Sequence, residues 1–177
     1  MTTMRHRLLG SAAVAGLLVV TVAGMPSAAS ADVGGSGGWT PVTYSPRDYA
    51  AGDVCSFELT VTFPTQGVEQ RVAIAKPDGT PLRTDFRGPL IARFSNAATG
   101  AWMDGDLSGD GTLYNLPDGW SLWRVPDNIG VTIHAGNPYH AQGEFILSGG
   151  SVIAVSPTRQ DAILHQTRVT DVCAALS

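Results

Sequence analysis

A short acidic stretch, "DGDLSGDGT", begins at Asp104 and carries the residue types that bind calcium. Asp104, Asp106 and Asp110 stand where an EF-hand loop places its early ligands. The twelfth position of that loop needs a bidentate acid but is Asn115 here, and the flanking residues alternate as in strands. We therefore predict a hairpin with its loop at residues 108–111, and weak calcium binding by the three aspartates is the alternative.

A second set of polar residues is brought together by predicted hairpin geometry. Hairpin tips are expected at residues 126–128 and 136–140, where Pro, Asn, Asp and Gly cluster. In that register His134 lies opposite Trp120 in the first hairpin and opposite Gln142 in the second. Five candidate ligand-binding residues then share one face of the sheet: Trp120, Thr132, His134, Gln142 and Glu144.

That polar face could bind a ligand or support acid–base catalysis. Glu144 is a diagonal neighbour of His134, and a carboxylate that orients an imidazole can act in general acid–base reactions. The opposite face is apolar and is predicted to be core. It consists of Trp123, Val131, Ile133 and Phe145. We expect the polar face to meet solvent, as one face of an antiparallel sheet commonly does; the alternative is a pocket inside a barrel.

Other catalytic patterns are missing from the sequence. It has no Gly-x-Ser-x-Gly motif for a serine nucleophile, and its glutamates do not form the carboxylate pair of a glycosidase. His134, His140 and His165 match no compact zinc spacing. Apart from the weak calcium candidates, we predict no metal, and we predict no cofactor.

The N-terminus has the features of an export signal. Arg5 and Arg7 precede an apolar run over residues 8–24, and the small-residue sequence "ASA" ends at Ala31. We predict a signal peptide over residues 1–31 with cleavage near Ala31, and hence a secreted, extracellular protein without a membrane anchor.

Composition and cysteine content agree with this location. The formal net charge is −4, Lys76 is the single lysine, and no basic run exists, which argues against nucleic acid or anionic membranes as partners. Because exported cysteine pairs are usually bonded, we predict a disulfide between Cys55 and Cys173 that ties the first strand to the C-terminal end.

The rest of the chain divides into an arm and one domain. Residues 32–54 form a Gly-rich arm, which Trp39 and Tyr44 could dock, followed by a short helical turn in "SPRDYAAGD". Residues 55–177 form a single β domain, in which "SFELTVTF" alternates like a half-buried strand. Near the end, residues 162–169 are predicted as a strand and residues 171–176 as a short capping turn.

Turn signals recur through this domain at intervals of about 8–12 residues. The segments between them are too short for parallel crossovers, so the fold is predicted to be an antiparallel all-β meander with short helical turns near each end. Open edges invite aggregation, so we expect closure into an up-and-down, calycin-like barrel, with a β-sandwich as the alternative.

Three quoted segments carry a resemblance to known proteins: "CSFELTV", "FSNAATG" and the closing "RVTDVCAAL". With the export signal and the serial hairpins, the chain resembles a group of small secreted bacterial all-β proteins with an early Cys strand. The resemblance covers roughly residues 55–176. It implies the fold and the disulfide, and it implies no activity.

These observations favour a secreted β-barrel that binds a small apolar molecule or an extracellular partner and has no catalytic activity. The first alternative is an acid–base enzyme of cyclase or isomerase type that uses His134 and Glu144. The second is a structural or inhibitory extracellular protein.

Overall fold

The computed structural model describes residues 38–177, which form an antiparallel all-β structure ending in a short helix. The all-β prediction is confirmed. In chain order the elements are β1 (Thr40–Pro41), β2 (Arg47–Tyr49), β3 (Leu59–Gln66), β4 (Glu69–Ala75), β5 (Pro81–Gly88), β6 (Leu90–Asn96), β7 (Trp102–Asp106), β8 (Gly109–Asn115), β9 (Ser121–Val125), β10 (Asn128–Ile133), β11 (Gly143–Val155), β12 (Asp161–Asp171) and α1 (Val172–Ala175).

The predicted signal peptide, residues 1–31, and the first residues of the arm lie outside the described part of the chain. Within that part, no helix has the length and apolar character needed to span a membrane.

Many of the strands continue one another across a short interruption. The interruptions fall at residues 67–68 between β3 and β4, at Pro89 between β5 and β6, at residues 107–108 between β7 and β8, and at residues 126–127 between β9 and β10. β11 has no break, but its pairing register with β12 shifts between Ser148 and Ser151. The chain is therefore built from long strand runs that each change direction once.

These interruptions lie side by side. Gly88 pairs with Gly109, and a Cβ on Gly88 would overlap the carbonyl oxygen of Gly67. A Cβ on Gly109 would overlap the Asp127 side chain, and the Asp127 carbonyl accepts a hydrogen bond from the Gly149 amide at 3.1 Å. We call this line of residues the crease; it consists of Gly67, Gly88, Gly109, Asp127 and Gly149.

Three of the strand runs, β3–β4, β5–β6 and β7–β8, pass between two sheets at the crease, whereas β9–β10 and β11 stay in the larger sheet. The larger sheet has the order β1-β4-β5-β8-β9-β11-β10 with β12 also paired to β11, and the smaller sheet has the order β2-β3-β6-β7. Strands that bend from one packed sheet into another form the corners of such structures.

Among the described residues β7 pairs only with β6 and β10 only with β11, so the two layers separate between β7 and β10. Strand pairing closes no ring within residues 38–177, so the predicted closed barrel is not found there.

One apolar cluster joins the two layers, and a second lies within the larger sheet. The first joins the smaller sheet to Ile146 of β11 and to α1, and Gly105 allows the close approach because a Cβ there would press on Ile146. Its buried members are Val54, Cys55, Phe57, Leu59, Val61, Ala92, Phe94, Ile146, Val172 and Leu176. The second cluster lies on the opposite face of β10 and β11. Its buried members are Val131, Ile133, Phe145, Leu147 and Ile153.

Three local predictions are wrong. Residues 108–111 do not form a hairpin loop, because β7 pairs with β6 and β8 with β5, and the segment bends across the crease instead. Residues 126–128 also bend rather than reverse the chain, since β9 and β10 both pair with the same side of β11. The helical turn predicted in "SPRDYAAGD" is replaced by β2, which gains backbone hydrogen bonds from the edge of β3.

The predictions for the C-terminal region are confirmed. Cys55 and Cys173 are bonded, with 5.3 Å between their Cα atoms. β12 contains the predicted strand, and α1 forms the predicted capping turn, in which the Asp171 side chain accepts a hydrogen bond from the Ala174 amide at 2.9 Å. The disulfide therefore joins the segment before β3 to the end of β12.

The described end of the arm is docked, as expected for Trp39 and Tyr44. The Trp39 ring lies 4.7 Å from the guanidinium carbon of Arg71 and 4.0 Å from that of Arg87. The Tyr44 ring lies 5.4 Å from the Phe63 ring. Aromatic and cation–π contacts thus hold this segment against both sheets.

The close packing at the crease predicts that adding a side chain at Gly88 lowers the stability of the fold. Gly88 and Gly79 both have positive φ, +124° and +84°, but a Cβ on Gly79 meets nothing within 4 Å, whereas one on Gly88 overlaps Gly67. We expect Gly79→Ala to cost about 1–2 kcal/mol through backbone strain alone. Gly88→Ala should cost roughly 1–3 kcal/mol more because of the clash. Urea unfolding of both variants tests this, and equal losses would contradict the close packing at the crease.

Candidate functional site

A cavity of about 810 Å³ lies between the two sheets. Its walls are mainly apolar and come from both layers. They include Phe63, Phe86, Leu90, Phe94, Leu113 and Trp123. The volume falls within the range of about 300–1,000 Å³ that is typical of small-molecule sites. Because each wall contains residues next to the crease, the bend in the strands creates the space.

The polar residues of the cavity wall include a group built by three elements. Thr132 of β10 and Glu144 of β11 lie directly opposite each other in the antiparallel ladder. Arg47 and Tyr49 come from β2, and His134 follows the end of β10. The group combines a carboxyl, a hydroxyl, a phenol, an imidazole and a guanidinium beside an apolar space.

Glu144 is the buried member of this group, with 3% of its surface exposed. Thr132 Oγ1 donates a hydrogen bond to Glu144 Oε2 at 2.7 Å. The other carboxyl oxygen, Oε1, has no hydrogen-bond partner among residues 38–177. Gly130 lies beside that oxygen and under Leu107, since a Cβ there would lie 3.6 Å from Oε1 and 3.1 Å from Leu107 Cδ1. The carboxyl is therefore held by one oxygen and open at the other.

Burial raises the pKa of Glu144 from its usual 4.5 to about 7. The hydrogen bond from Thr132 and the charges of Arg47 and His134 favour the ionised form, but desolvation outweighs them. Near neutral pH this carboxyl can therefore donate a proton in a hydrogen bond or accept one.

His134 is oriented by Asp53 rather than by Glu144. Its Nδ1 lies 3.0 Å from both carboxylate oxygens of Asp53, and the Tyr49 ring meets its ring edge-on at 5.6 Å. The Ala135 amide also donates to the Asp53 carbonyl at 2.7 Å. Because Asp53 lies two residues before Cys55, the disulfide anchors the segment that positions the imidazole.

The five residues predicted to share a face have separate environments. Thr132 and Glu144 are neighbours in the predicted register, and both line the cavity. The expectation of a solvent-facing arrangement is wrong for Glu144, whereas the His134 side chain is 52% exposed. Gln142 is exposed and donates to the Gly52 carbonyl at 3.1 Å.

Trp120 does not lie opposite His134, because β9 and β10 run end to end along β11. Its ring instead meets the Tyr139 ring edge-on at 5.8 Å. The loop that carries Tyr139 also reaches β12, where the Asn137 side chain donates to the Asp161 carbonyl at 3.0 Å. Trp120 thus helps to hold this loop.

Sequence reasoning missed Arg47, Tyr49 and Asp53. All three belong to the segment predicted as a helical turn, and no motif marks them. The one available signal was Cys55, since a disulfide to the C-terminal end requires the residues just before it to lie near the ends of other strands.

The aspartates of the acidic stretch serve other contacts. Asp104 makes a two-bond pair with Arg93 at 2.8 and 2.9 Å, which lowers the pKa of Asp104. Asp106 accepts from the Ser108 amide at 2.9 Å, and the Asp110 amide donates to Asp127 at 2.9 Å. Within the described residues, no three His, Cys, Asp or Glu side chains come together where they could hold a metal.

Comparison of the chain with protein-family models, with curated proteins and with solved structures gives no match.

The raised pKa of Glu144 predicts a pH-dependent stability. Between pH 4.5 and about 7 the folded protein keeps a proton that the unfolded chain releases, so this contribution is complete below pH 4.5 and lost as the pH rises through 7. The free energy of unfolding of the natural protein minus that of Glu144→Gln should fall by about 3 kcal/mol between pH 4 and pH 8. Glu58→Gln, at an exposed site, is the matched control. A difference that does not change with pH would rule out a buried titrating carboxyl.

Proposed function

We propose that this protein binds a small, mainly apolar molecule with one polar group in the cavity between its sheets. The observation that carries the proposal is the 810 Å³ cavity, whose walls are largely aliphatic and aromatic and whose polar residues include the group around Glu144. An apolar space with a few convergent polar groups and a perturbed pKa is the usual form of a ligand site.

The expected energetics support such a role. Burying about 200 Å² of apolar ligand surface would contribute roughly 5 kcal/mol before the cost of immobilising the ligand. The polar residues would then fix the orientation of the ligand rather than supply most of the affinity. We also propose that the two sheets act together as an open, barrel-like cup around it.

We further propose that the protein acts outside the cell after cleavage near Ala31. The bonded Cys55–Cys173 pair supports this, because disulfides form and persist in oxidising compartments. An extracellular binding role also agrees with the acidic net charge of −4.

A second candidate function is acid–base catalysis of cyclase or isomerase type. The raised pKa of Glu144 favours it, since a general acid–base group works best near its own pKa. In this version Glu144 would transfer the proton, and His134 would be positioned by Asp53. If a substrate is found, replacing Glu144 by Gln and His134 by Gln should remove its turnover. Unchanged turnover in the double variant would end the catalytic hypothesis.

Gly111 offers a direct test of binding in the cavity. It lines the wall, and a Cβ there would make ordinary contacts of 3.6 Å with Trp123 and 3.7 Å with Val125. Gly111→Leu should therefore fill the cavity without a clash at Cβ. We expect it to weaken binding of the neutral fluorescent probe N-phenyl-1-naphthylamine at least tenfold.

The matched control is Gly38→Leu, at an exposed position where a Cβ meets nothing within 4 Å. The protein is best recovered from culture medium, where its intact mass also reports cleavage after Ala31. Equal probe binding by the two variants would place the probe outside the cavity and remove the main support for the proposal.

A further inference from the structure

We infer that the ligand is an apolar monocarboxylate whose head group lies between the Arg47 guanidinium and the Glu144 carboxyl. This inference rests on the proposed binding function and specifies its ligand class. One charge in the polar group of the cavity has no ion-pair partner among the described residues.

Arg47 supplies the unpaired positive charge. It lines the cavity yet is exposed, so it stands at an opening to solvent. Within the described residues it forms no ion pair, and its one side-chain hydrogen bond is a long contact of 3.5 Å with the Tyr49 hydroxyl. Arginine binds carboxylates through two parallel N–H bonds, so a free guanidinium beside an apolar cavity suits an anionic head group.

The other arginines of the wall are less suitable. Arg87 also lines the cavity, but it is paired with Glu69 at 3.0 Å. Arg159 lies on the turn between β11 and β12. Arg47 instead contacts Tyr49, whose ring meets His134 at the end of the β10 segment that pairs with Glu144. Arg47 is therefore the cation that shares the head-group position with the buried carboxyl.

Glu144 completes the head-group site from inside. Its Oε2 is occupied by Thr132, whereas Oε1 makes no hydrogen bond among the described residues, and Glu144 lines the cavity. In its protonated form, which burial favours, the carboxyl can donate to a ligand carboxylate, and charge-assisted O–H···O⁻ bonds are among the stronger hydrogen bonds. A ligand ammonium would instead meet the repulsion of Arg47.

The surrounding charges determine how binding should depend on pH. The charged and titratable groups of β2 are Arg47, Asp48 and Tyr49, and those at the near ends of the other elements are Asp53 before Cys55, His134 after β10 and Asp171 at the end of β12. Asp48 accepts a hydrogen bond from Thr60 Oγ1 at 2.8 Å. Asp53 is occupied by His134 and Asp171 by α1. A bound carboxylate adds a negative charge beside Glu144, so binding should take up a proton, and affinity should fall as the pH rises through 7.

Three ligands with one eight-carbon chain test the inference by calorimetry on the full mature protein at pH 6 and pH 8. They are octanoate, octanol and octylammonium. At pH 6 octanoate should bind about tenfold more tightly than octanol, and octylammonium should bind most weakly. Octanoate should lose about tenfold in affinity at pH 8, while octanol should change little.

Three variants test which residues cause the preference for octanoate and its pH dependence. Arg47→Gln should reduce the ratio of octanoate to octanol affinity about tenfold. Arg124→Gln, an exposed arginine on β9 outside the cavity wall, should leave that ratio unchanged. Glu144→Gln keeps a hydrogen-bond donor but cannot titrate, so it should still prefer octanoate and lose the pH dependence.

The possible failures are distinguishable. If octanol or octylammonium binds as tightly as octanoate, cavity binding stands and the carboxylate inference alone is overturned. An octanoate preference that survives in Arg47→Gln would also overturn it. If none of the three ligands binds, both the inference and the proposed binding function fail.

Discussion

The crease is the constraint on which the rest of this structure depends. A β-strand resists sharp bending, so a sheet can change direction only where its strands share a line of permissive residues. Gly88 and Gly109 supply positive φ on paired strands, and Asp127 accepts the hydrogen bonds that the bend would leave unpaired on its neighbours. Because three of the runs pass from one sheet to the other at the same level, two sheets face each other and enclose a cavity. Straight strands would not have enclosed this cavity.

The sequence predicts the class of the fold better than its strand pairing. Alternation in "SFELTVTF" and the short capping turn at residues 171–176 are local signals, and both are confirmed. The Cys55–Cys173 disulfide could also be predicted, because the chain has only these two cysteines. Chain reversals and strand bends, however, use the same residue types, Gly and Pro. The turn at residues 77–79 reverses the chain, whereas Gly88 and Pro89 bend it, and both segments contain a Pro and a Gly. Only the long-range register distinguishes the two, and one sequence does not contain it.

The site shows the same division between local and distant determinants. The pairing of Thr132 with Glu144 followed from the loop at residues 136–140 and is confirmed. The burial of Glu144 depends on an opposing sheet whose position could not be derived from that hairpin. Arg47 and Asp53 were missed because their segment has helix-capping chemistry but is too short to gain from a helix. The segment instead pairs with the free edge of β3 and forms the strand β2.

The separation of β7 from β10 indicates where a small molecule could enter the cavity. The runs β3–β4, β5–β6 and β7–β8 each belong to both sheets, so moving the sheets apart there would strain paired backbone strands. Among the described strands, β7 and β10 share no such ladder. A slit along this line can widen by side-chain motion alone, at Leu107 and next to Gly130, while the rest of the scaffold stays rigid. The proposed ligand would then enter and leave the cavity without partial unfolding, and side-chain rotamer changes would set the rate of its exchange.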